Sequence, residues 1–120
     1  MELSKADKVW NRAAVDAGGP TPRAGDKALA GLLHFDSLVC NGGLGHGFDV
    51  CSKTEIEAAI EGFRYFFLSD VADFLIEAEN YSEEMQEGLS AKYYKFSETI
   101  SDTFEAFYRR NPEAFAPVLD

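Results

Sequence analysis

Apolar side chains recur every three or four residues through most of the chain, which is the spacing of one face of an α-helix. The first such stretch begins after Ser4, a good N-cap, with Asp7 as its capping-box partner. It ends near Ala17, because Gly18-Gly19-Pro20-Thr21-Pro22 cannot continue a helix. The apolar face of this helix comprises Ala6, Val9, Trp10, Ala13 and Ala14. The strict apolar/polar alternation that is typical of strands does not occur, so the sequence predicts an all-α fold.

A second helix is predicted to begin with Asp26 as its N-cap and to end at Asn41, Gly42 and Gly43. Glycine and asparagine can adopt the left-handed conformation that closes many helices. We therefore interpret these three residues as a structural motif and expect a positive φ at Gly42 or Gly43. A short Gly-rich turn is expected after it, over residues 44–51. The apolar face of the second helix comprises Leu29, Leu32, Leu33, Val39 and Cys40.

Four further helices are predicted, each with a serine or threonine at its N-cap. The four caps are Thr54, Ser69, Ser82 and Ser101. Thr54 and Glu57 have the spacing of a capping box. The side chains expected to point inward are Ile56, Ala59, Ile60, Phe63, Phe67, Val71, Phe74, Leu75, Ala78, Met85, Leu89, Tyr93, Phe96, Phe104, Phe107 and Tyr108. Asn111-Pro112 ends the last helix, and the tail at 114–117 is expected to lie on the body of the protein.

The length of the chain, 120 residues, fits a single compact domain of about six helices over residues 1–120. No apolar run approaches the roughly 20 residues needed to cross a bilayer. The first residues, Met1-Glu2-Leu3-Ser4-Lys5, lack the basic region followed by an apolar stretch that marks a secretory signal. We therefore expect a cytoplasmic protein.

The net charge of −10 is distributed unevenly. Residues 1–53 contain six basic and six acidic side chains, whereas residues 54–120 contain five basic and fifteen acidic ones. Nucleic acid is a poor partner for such a protein, because binding it requires a basic surface that releases counterions. An anionic membrane is disfavoured for the same reason. A basic protein is a suitable partner, since long-range attraction would speed association.

The densest acidic stretch runs from residue 70 to residue 87 and contains no basic residue. Its seven acids are Asp70, Asp73, Glu77, Glu79, Glu83, Glu84 and Glu87. Like charges one helical turn apart repel one another by a few tenths of a kcal/mol per pair on an isolated helix. A cationic partner would relieve this repulsion, so we predict that these seven residues face a partner. The alternative is that they serve solubility alone.

Three other sets of residues could carry chemistry: a group of zinc ligands, a cysteine nucleophile and pairs of carboxylates. Cys40, His46 and Cys51, with His34 behind them, offer four zinc-ligand side chains, but the intervals of four or five intervening residues do not match the usual ligand spacing. Of the two thiols, Cys51 is the better candidate nucleophile, because it precedes a helix and has a lysine nearby. The simpler interpretation of both cysteines is that they are buried free thiols. The carboxylate pairs one turn apart are expected on solvated helix faces; they are Glu57 with Glu61 and Asp73 with Glu77. No metal, cofactor or catalytic residue is predicted.

The segment from Leu38 to Phe48, with Asn41-Gly42-Gly43 at its centre, resembles the DNA-mimic protein family, a group of small acidic helical proteins. The helices around Gly62 and over Val71–Ala78 match the continuation of that family. The resemblance extends from about Asp26 to Phe115. It implies an all-helical, dimeric protein whose surface carboxylates replace the phosphates of a DNA duplex and occupy a DNA-binding protein.

The leading functional hypothesis is therefore a non-enzymatic acidic protein that binds the basic surface of a DNA-binding protein and regulates it. A second hypothesis is an immunity or antitoxin-like protein that neutralises a basic toxin, since its surface would have the same electrostatics. A third, from a different class, is a metal-binding protein or enzyme that uses the cysteines and histidines.

Overall fold

A computed structural model describes residues 3–118. Four residues of the predicted domain lie outside the described residues: Met1, Glu2, Leu119 and Asp120. The first two also belong to the segment considered above as a possible secretory signal. The helices are α1 (Lys5–Asp16), α2 (Ala24–Gly42), α3 (Leu44–Val50), α4 (Lys53–Tyr65), α5 (Ser69–Ala78), α6 (Glu83–Gly88), α7 (Ser90–Ser97) and α8 (Ile100–Arg110), followed by a 3₁₀ turn over Pro112–Ala114. Residues 3–118 contain no strand, so the all-α prediction is confirmed. The helices form one globule of 46 × 26 × 24 Å.

Two helices more than predicted are present in the described part of the chain. The Gly-rich segment after α2, expected to be a turn, forms the short helix α3, because Leu44 and Gly47 are buried against the core. The stretch expected to form one helix after Ser82 is divided at Leu89, the single residue between α6 and α7. Tyr93 of α7 is fully buried in the core.

The predicted caps at Ser4 and Ser82 are confirmed, since each hydroxyl accepts a hydrogen bond from the backbone N–H three residues later. Three other predicted caps are wrong by one or two positions. Ser52, in place of Thr54, caps α4 and forms a capping box with Glu55. Leu68 and Thr99 precede α5 and α8, so Ser69 and Ser101 lie inside these helices. Sequence patterns locate the end of a helix only to within one or two residues, so a hydroxyl near the start of a helix need not occupy the cap position.

Asp26 is also not an N-cap. It is the third residue of α2, and its side chain is fully buried. One carboxylate oxygen accepts hydrogen bonds from the backbone N–H groups of Arg23 (2.9 Å) and Ala116 (2.7 Å), and the other forms an ion pair with Arg12 (2.8 Å). The Arg12 guanidinium donates further to the carbonyls of Ala116 and Pro117. This buried carboxylate therefore joins α1, α2 and the C-terminal tail.

The core lies around the crossing of α2 and α4. Gly62 of α4 faces the backbone of Ala28 in α2, and Gly31 of α2 faces the backbone of Ala58 in α4. Because neither glycine has a side chain, the two helices approach each other closely. The largest fully buried side chains are Tyr93, Phe35, Phe63, Phe104 and Phe115. The burial of Phe115 also confirms that the tail lies on the body.

Four side chains predicted to point inward are exposed instead: Ala14, Cys40, Phe67 and Met85. Phe67 is 82% exposed because it follows the end of α4 with a φ of 63°, in the left-handed conformation that closes a helix. The preceding residue, Phe66, takes the core position. In α6 the buried position belongs to Gln86, whose amide donates to the carbonyl of Ala78 (2.9 Å). For Phe67 the exposure follows from the position at which α4 ends, which the apolar spacing does not reveal.

A polar contact attaches α7 to α2. The hydroxyls of Tyr93 (2.8 Å) and Ser97 (2.7 Å) both donate to one carboxylate oxygen of Asp36. Burial, reinforced by the negative charge of Asp36, raises the pKa of Tyr93, so its hydroxyl keeps the proton that it donates.

Candidate functional site

The seven predicted acids occupy α5, α6 and the connection between them. Six of them are exposed and Glu79 is half-buried. Their apolar neighbours on α5, which include Val71, Ala72 and Leu75, face the core. The same helical periodicity that buries these side chains directs most of the acids to solvent.

The fold brings basic side chains to part of this acidic stretch, although the stretch itself contains none. Arg64 of α4 forms an ion pair with Asp73 (3.1 Å), and both side chains are largely exposed. Lys92 of α7 lies over the ring of Phe74 and lines one small pocket together with Glu77. The like-charge repulsion is therefore partly offset at the α5 end, which local sequence alone did not indicate.

Glu77 also accepts a hydrogen bond from the hydroxyl of Tyr81 (2.6 Å). This bond raises the pKa of Tyr81, because loss of the phenolic proton would place a second negative charge beside Glu77. The Glu77 carboxylate therefore already has a hydrogen-bond partner within the chain, Tyr81, four residues later.

At the α6 end, carboxylates gather around a groove of about 240 Å³ between α3, α4 and α6. Asp49, Glu79 and Glu83 line it, together with Gly45, Phe48, Ile56 and Gln86. No lysine or arginine within residues 3–118 forms an ion pair with these three acids. Asp49 was missed by the sequence reasoning, because it lies 21 residues before the start of the acidic stretch at Asp70, and only the packing of α3 on α6 brings it there. We call Asp49, Glu79, Glu83 and the adjacent Glu84 the acidic groove set.

Glu87 has a structural contact in addition to its charge. One of its oxygens accepts a hydrogen bond from the backbone N–H of His46 in the first turn of α3 (3.1 Å). Its carboxylate lies directly against Gly43 and Gly45, where a side chain would collide with it. The glycines after Asn41 thus leave space for a carboxylate that arrives from α6.

The predicted positive φ is found at Gly43, which has φ 94° and ψ 170° between α2 and α3. Gly42, in contrast, is the last residue of α2. The Gly43 conformation is almost restricted to glycine. Asn41 and Gly42 are exposed, although Gly42 lies against the His46 ring, whereas Gly43 is buried.

Replacing Gly43 by alanine is expected to lower the free energy of unfolding by more than about 1 kcal/mol, because the backbone strain exceeds the ordinary glycine-to-alanine difference. Urea unfolding of Gly43→Ala measures this cost. The same substitution in a Glu87→Ala background removes the side-chain collision and leaves the strain. An unchanged stability in both backgrounds would show that Gly43 has no structural role.

The two thiols occupy different environments. Cys51 is buried, whereas Cys40, also expected to be buried, is exposed beside Asp36 and Ser97. Partial burial raises the pKa of both thiols, and a nearby carboxylate adds to this, Asp36 for Cys40 and Glu55 for Cys51. A raised pKa keeps a thiol protonated at neutral pH, which disfavours a nucleophilic role for either one.

The four side chains considered as zinc ligands do not form one cluster. The His46 ring lies against Gly42, and Cys40 lies near Asp36. His34 and Cys51, however, come together with Glu55, which the sequence reasoning did not include. Only the arrangement of α2 and α4 reveals this third residue, since 20 residues separate His34 from Glu55. Of the carboxylate pairs, Glu57 and Glu61 are exposed on α4, as the periodicity predicts.

Comparison of the chain with protein-family models, curated proteins and solved structures finds no match. In the part of the chain that the structure describes, no helix combines the length and the apolar character needed to cross a membrane. The class defined by the fold is an acidic all-α domain.

Proposed function

We propose that this protein is a non-enzymatic regulator that binds the basic surface of a DNA-binding protein through the acidic groove set. The proposal rests on the convergence of Asp49, Glu79 and Glu83 on one groove, where no lysine or arginine of residues 3–118 forms an ion pair with them. Repulsion within this set is relieved when a cationic side chain from a partner enters the groove.

The two ends of the predicted acidic stretch have different roles in this proposal. Asp73 and Glu77 already have partners within the chain, in Arg64 and Tyr81. Glu87 is occupied at the start of α3. Glu79, Glu83 and Glu84 from the stretch, with Asp49 from α3, are the carboxylates available to a partner at the groove. Asp70, in the first turn of α5, is also exposed but does not line the groove. The binding surface therefore lies nearer α6 than α5.

The resemblance to the DNA-mimic protein family supports a partner that normally holds the phosphates of duplex DNA. A homodimer and a cytoplasmic location belong to the same proposal. The partner would be displaced from DNA while this protein occupies its basic surface.

The groove variant Asp49→Asn, Glu79→Gln, Glu83→Gln, Glu84→Gln tests the proposal. A matched control, Glu57→Gln, Glu61→Gln, Glu98→Gln, Glu113→Gln, removes the same charge from exposed positions elsewhere. Each protein is immobilised and exposed to native lysate at low salt, and bound proteins are eluted with duplex DNA or with salt. We expect the wild type and the control to retain the same DNA-eluted proteins. The groove variant should retain about one tenth of the amount, since complementary charges at an interface speed association.

The affinity of a purified partner should also fall steeply as salt increases, because binding releases ions from both surfaces. Equal retention by all three proteins, or retention that salt does not alter, would refute the proposal and leave the acidic surface as a means of solubility. Equal loss in the groove variant and in the control would show that net charge, and not the groove, is recognised.

A further inference from the structure

Three side chains of types that bind transition metals meet where α2 packs against the start of α4. His34 belongs to α2, Cys51 follows α3, and Glu55 lies in the first turn of α4. One ligand atom from each lies within 4.8 Å of the other two. The His34 Nε2 and Glu55 Oε2 atoms are 2.7 Å apart.

Each of the three side chains is held by a regular element. The backbone N–H of Cys51 donates to the carbonyl of Gly47 (3.1 Å), which closes α3. The backbone N–H of Ser52 donates to Oε1 of Glu55 (2.9 Å), and this bond leaves Oε2 directed to His34. A site built on helices and helix ends keeps its ligands in place better than one on mobile loops.

The degree of exposure suits a site with an open position. Cys51 is 6% exposed, whereas the side chains of His34 and Glu55 are each about half exposed. His34 and Glu55 also line a groove of about 600 Å³ between α1 and α2, beside Trp10 and Leu33. A small ligand in that groove reaches the imidazole and the carboxylate from the solvent side.

We propose that Nε2 of His34, Sγ of Cys51 and Oε2 of Glu55 bind a zinc ion, with a fourth position open to the groove. Zinc binds imidazole, thiolate and carboxylate at distances of roughly 2.0–2.3 Å, so ligand atoms on one tetrahedral ion lie about 3.3–3.8 Å apart. The separations in the structure, from 2.7 Å to at most 4.8 Å, differ from this spacing by about 1 Å or less. The thiolate and imidazole favour zinc over magnesium or calcium, which prefer oxygen ligands.

The charges also fit a divalent cation. When zinc binds, the Cys51 thiol releases its proton to solvent. The resulting thiolate and the Glu55 carboxylate neutralise the two positive charges of the ion, and the neutral imidazole of His34 is the third protein ligand. Three protein ligands with an exchangeable fourth position are typical of zinc sites that accept a small ligand, whereas structural sites use four. None of the three proposed ligands lines the acidic groove, so the metal proposal does not depend on the proposed partner.

The test is a cobalt and zinc titration of the full chain prepared without metal. Cobalt bound by a thiolate gives a charge-transfer absorption in the near ultraviolet, and zinc added afterwards should abolish it as it displaces the cobalt. We expect one equivalent of cobalt to bind, and zinc to raise the melting temperature, because a ligand that binds only the folded state stabilises it.

Cys51→Ser, His34→Gln and Glu55→Gln are the site variants, and glutamine at 55 can preserve the capping box. Cys51→Ala replaces the serine variant if the latter fails to fold. Cys40→Ser and His46→Gln are matched controls, because they remove the same side-chain types elsewhere. Zinc should bind the site variants about 100-fold more weakly, since even an outer-shell change costs 10–100-fold, and should bind the controls unchanged.

The cobalt absorption should disappear in Cys51→Ser and persist in Cys40→Ser. Absence of stoichiometric binding in the wild type would overturn the proposal. So would binding that survives the site variants, or binding that is lost in the two controls.

Discussion

Asp26→Asn is expected to lower the free energy of unfolding by about 3 kcal/mol, although it removes only a charge and keeps the shape of the side chain. The Asp26 carboxylate is fully buried and accepts from Arg12, Arg23 and Ala116. An amide has one oxygen and an NH₂ group, so at least one of these donors must meet another donor. The Arg12 guanidinium, only 19% exposed, also loses its counter-charge.

Equilibrium urea unfolding measures this loss, and a matched control is Asp16→Asn at the exposed end of α1. The control should change stability by less than about 0.5 kcal/mol. Combining Asp26→Asn with Arg12→Met should cost less than the sum of the two single changes, because the unpaired guanidinium is then absent. Strictly additive costs, or an Asp26→Asn protein as stable as the control, would contradict the assigned contact.

The second large effect is expected at Gly62, where alanine should cost about 2 kcal/mol. A Cβ there would collide with the carbonyl oxygen of Ala28 and lie 3.2 Å from Cβ of Leu32. Backbone cannot move aside as a flexible side chain can, so α2 and α4 must separate. We expect the steric cost, about 3 kcal/mol, to exceed the gain of about 1 kcal/mol from the better helix propensity of alanine.

Gly88→Ala is the control for this prediction, since a Cβ at Gly88 of α6 meets no atom within 4 Å. It should leave stability unchanged or slightly raised, because alanine restricts the unfolded chain. Thermal unfolding of the two variants side by side separates close packing from a general effect of replacing glycine. Similar melting temperatures for both variants would show that α2 and α4 tolerate the added methyl group.

Local patterns in the sequence account for several features of the site. The exposure of most of the acids on α5 and α6 follows from helical periodicity, because the opposite face carries the apolar residues. The positive φ near Asn41 follows from the freedom of glycine. The caps at Ser4 and Ser82 follow from the hydrogen bond that a hydroxyl offers to the first turn of a helix.

Other features depend on contacts between residues far apart in the chain. The role of Asp26 requires the tail to return 90 residues later. Asp49 joins Glu79 and Glu83 only because α3 packs on α6. The spacing of the cysteines and histidines along the chain does not predict a metal site. The packing of α2 on α4 nevertheless places Glu55 beside His34 and Cys51.

By itself, the sequence of this protein determined the all-α class and the apolar and polar faces of the helices, because both arise from interactions within a few residues. The uneven distribution of charge is read directly from the sequence. Only the tertiary structure decided where α2 and α4 touch, which carboxylates are neutralised and which polar side chains meet. Such contacts depend on the mutual orientation of helices, which is set by packing over the whole core. A pattern within a few residues of the chain therefore does not predict that orientation.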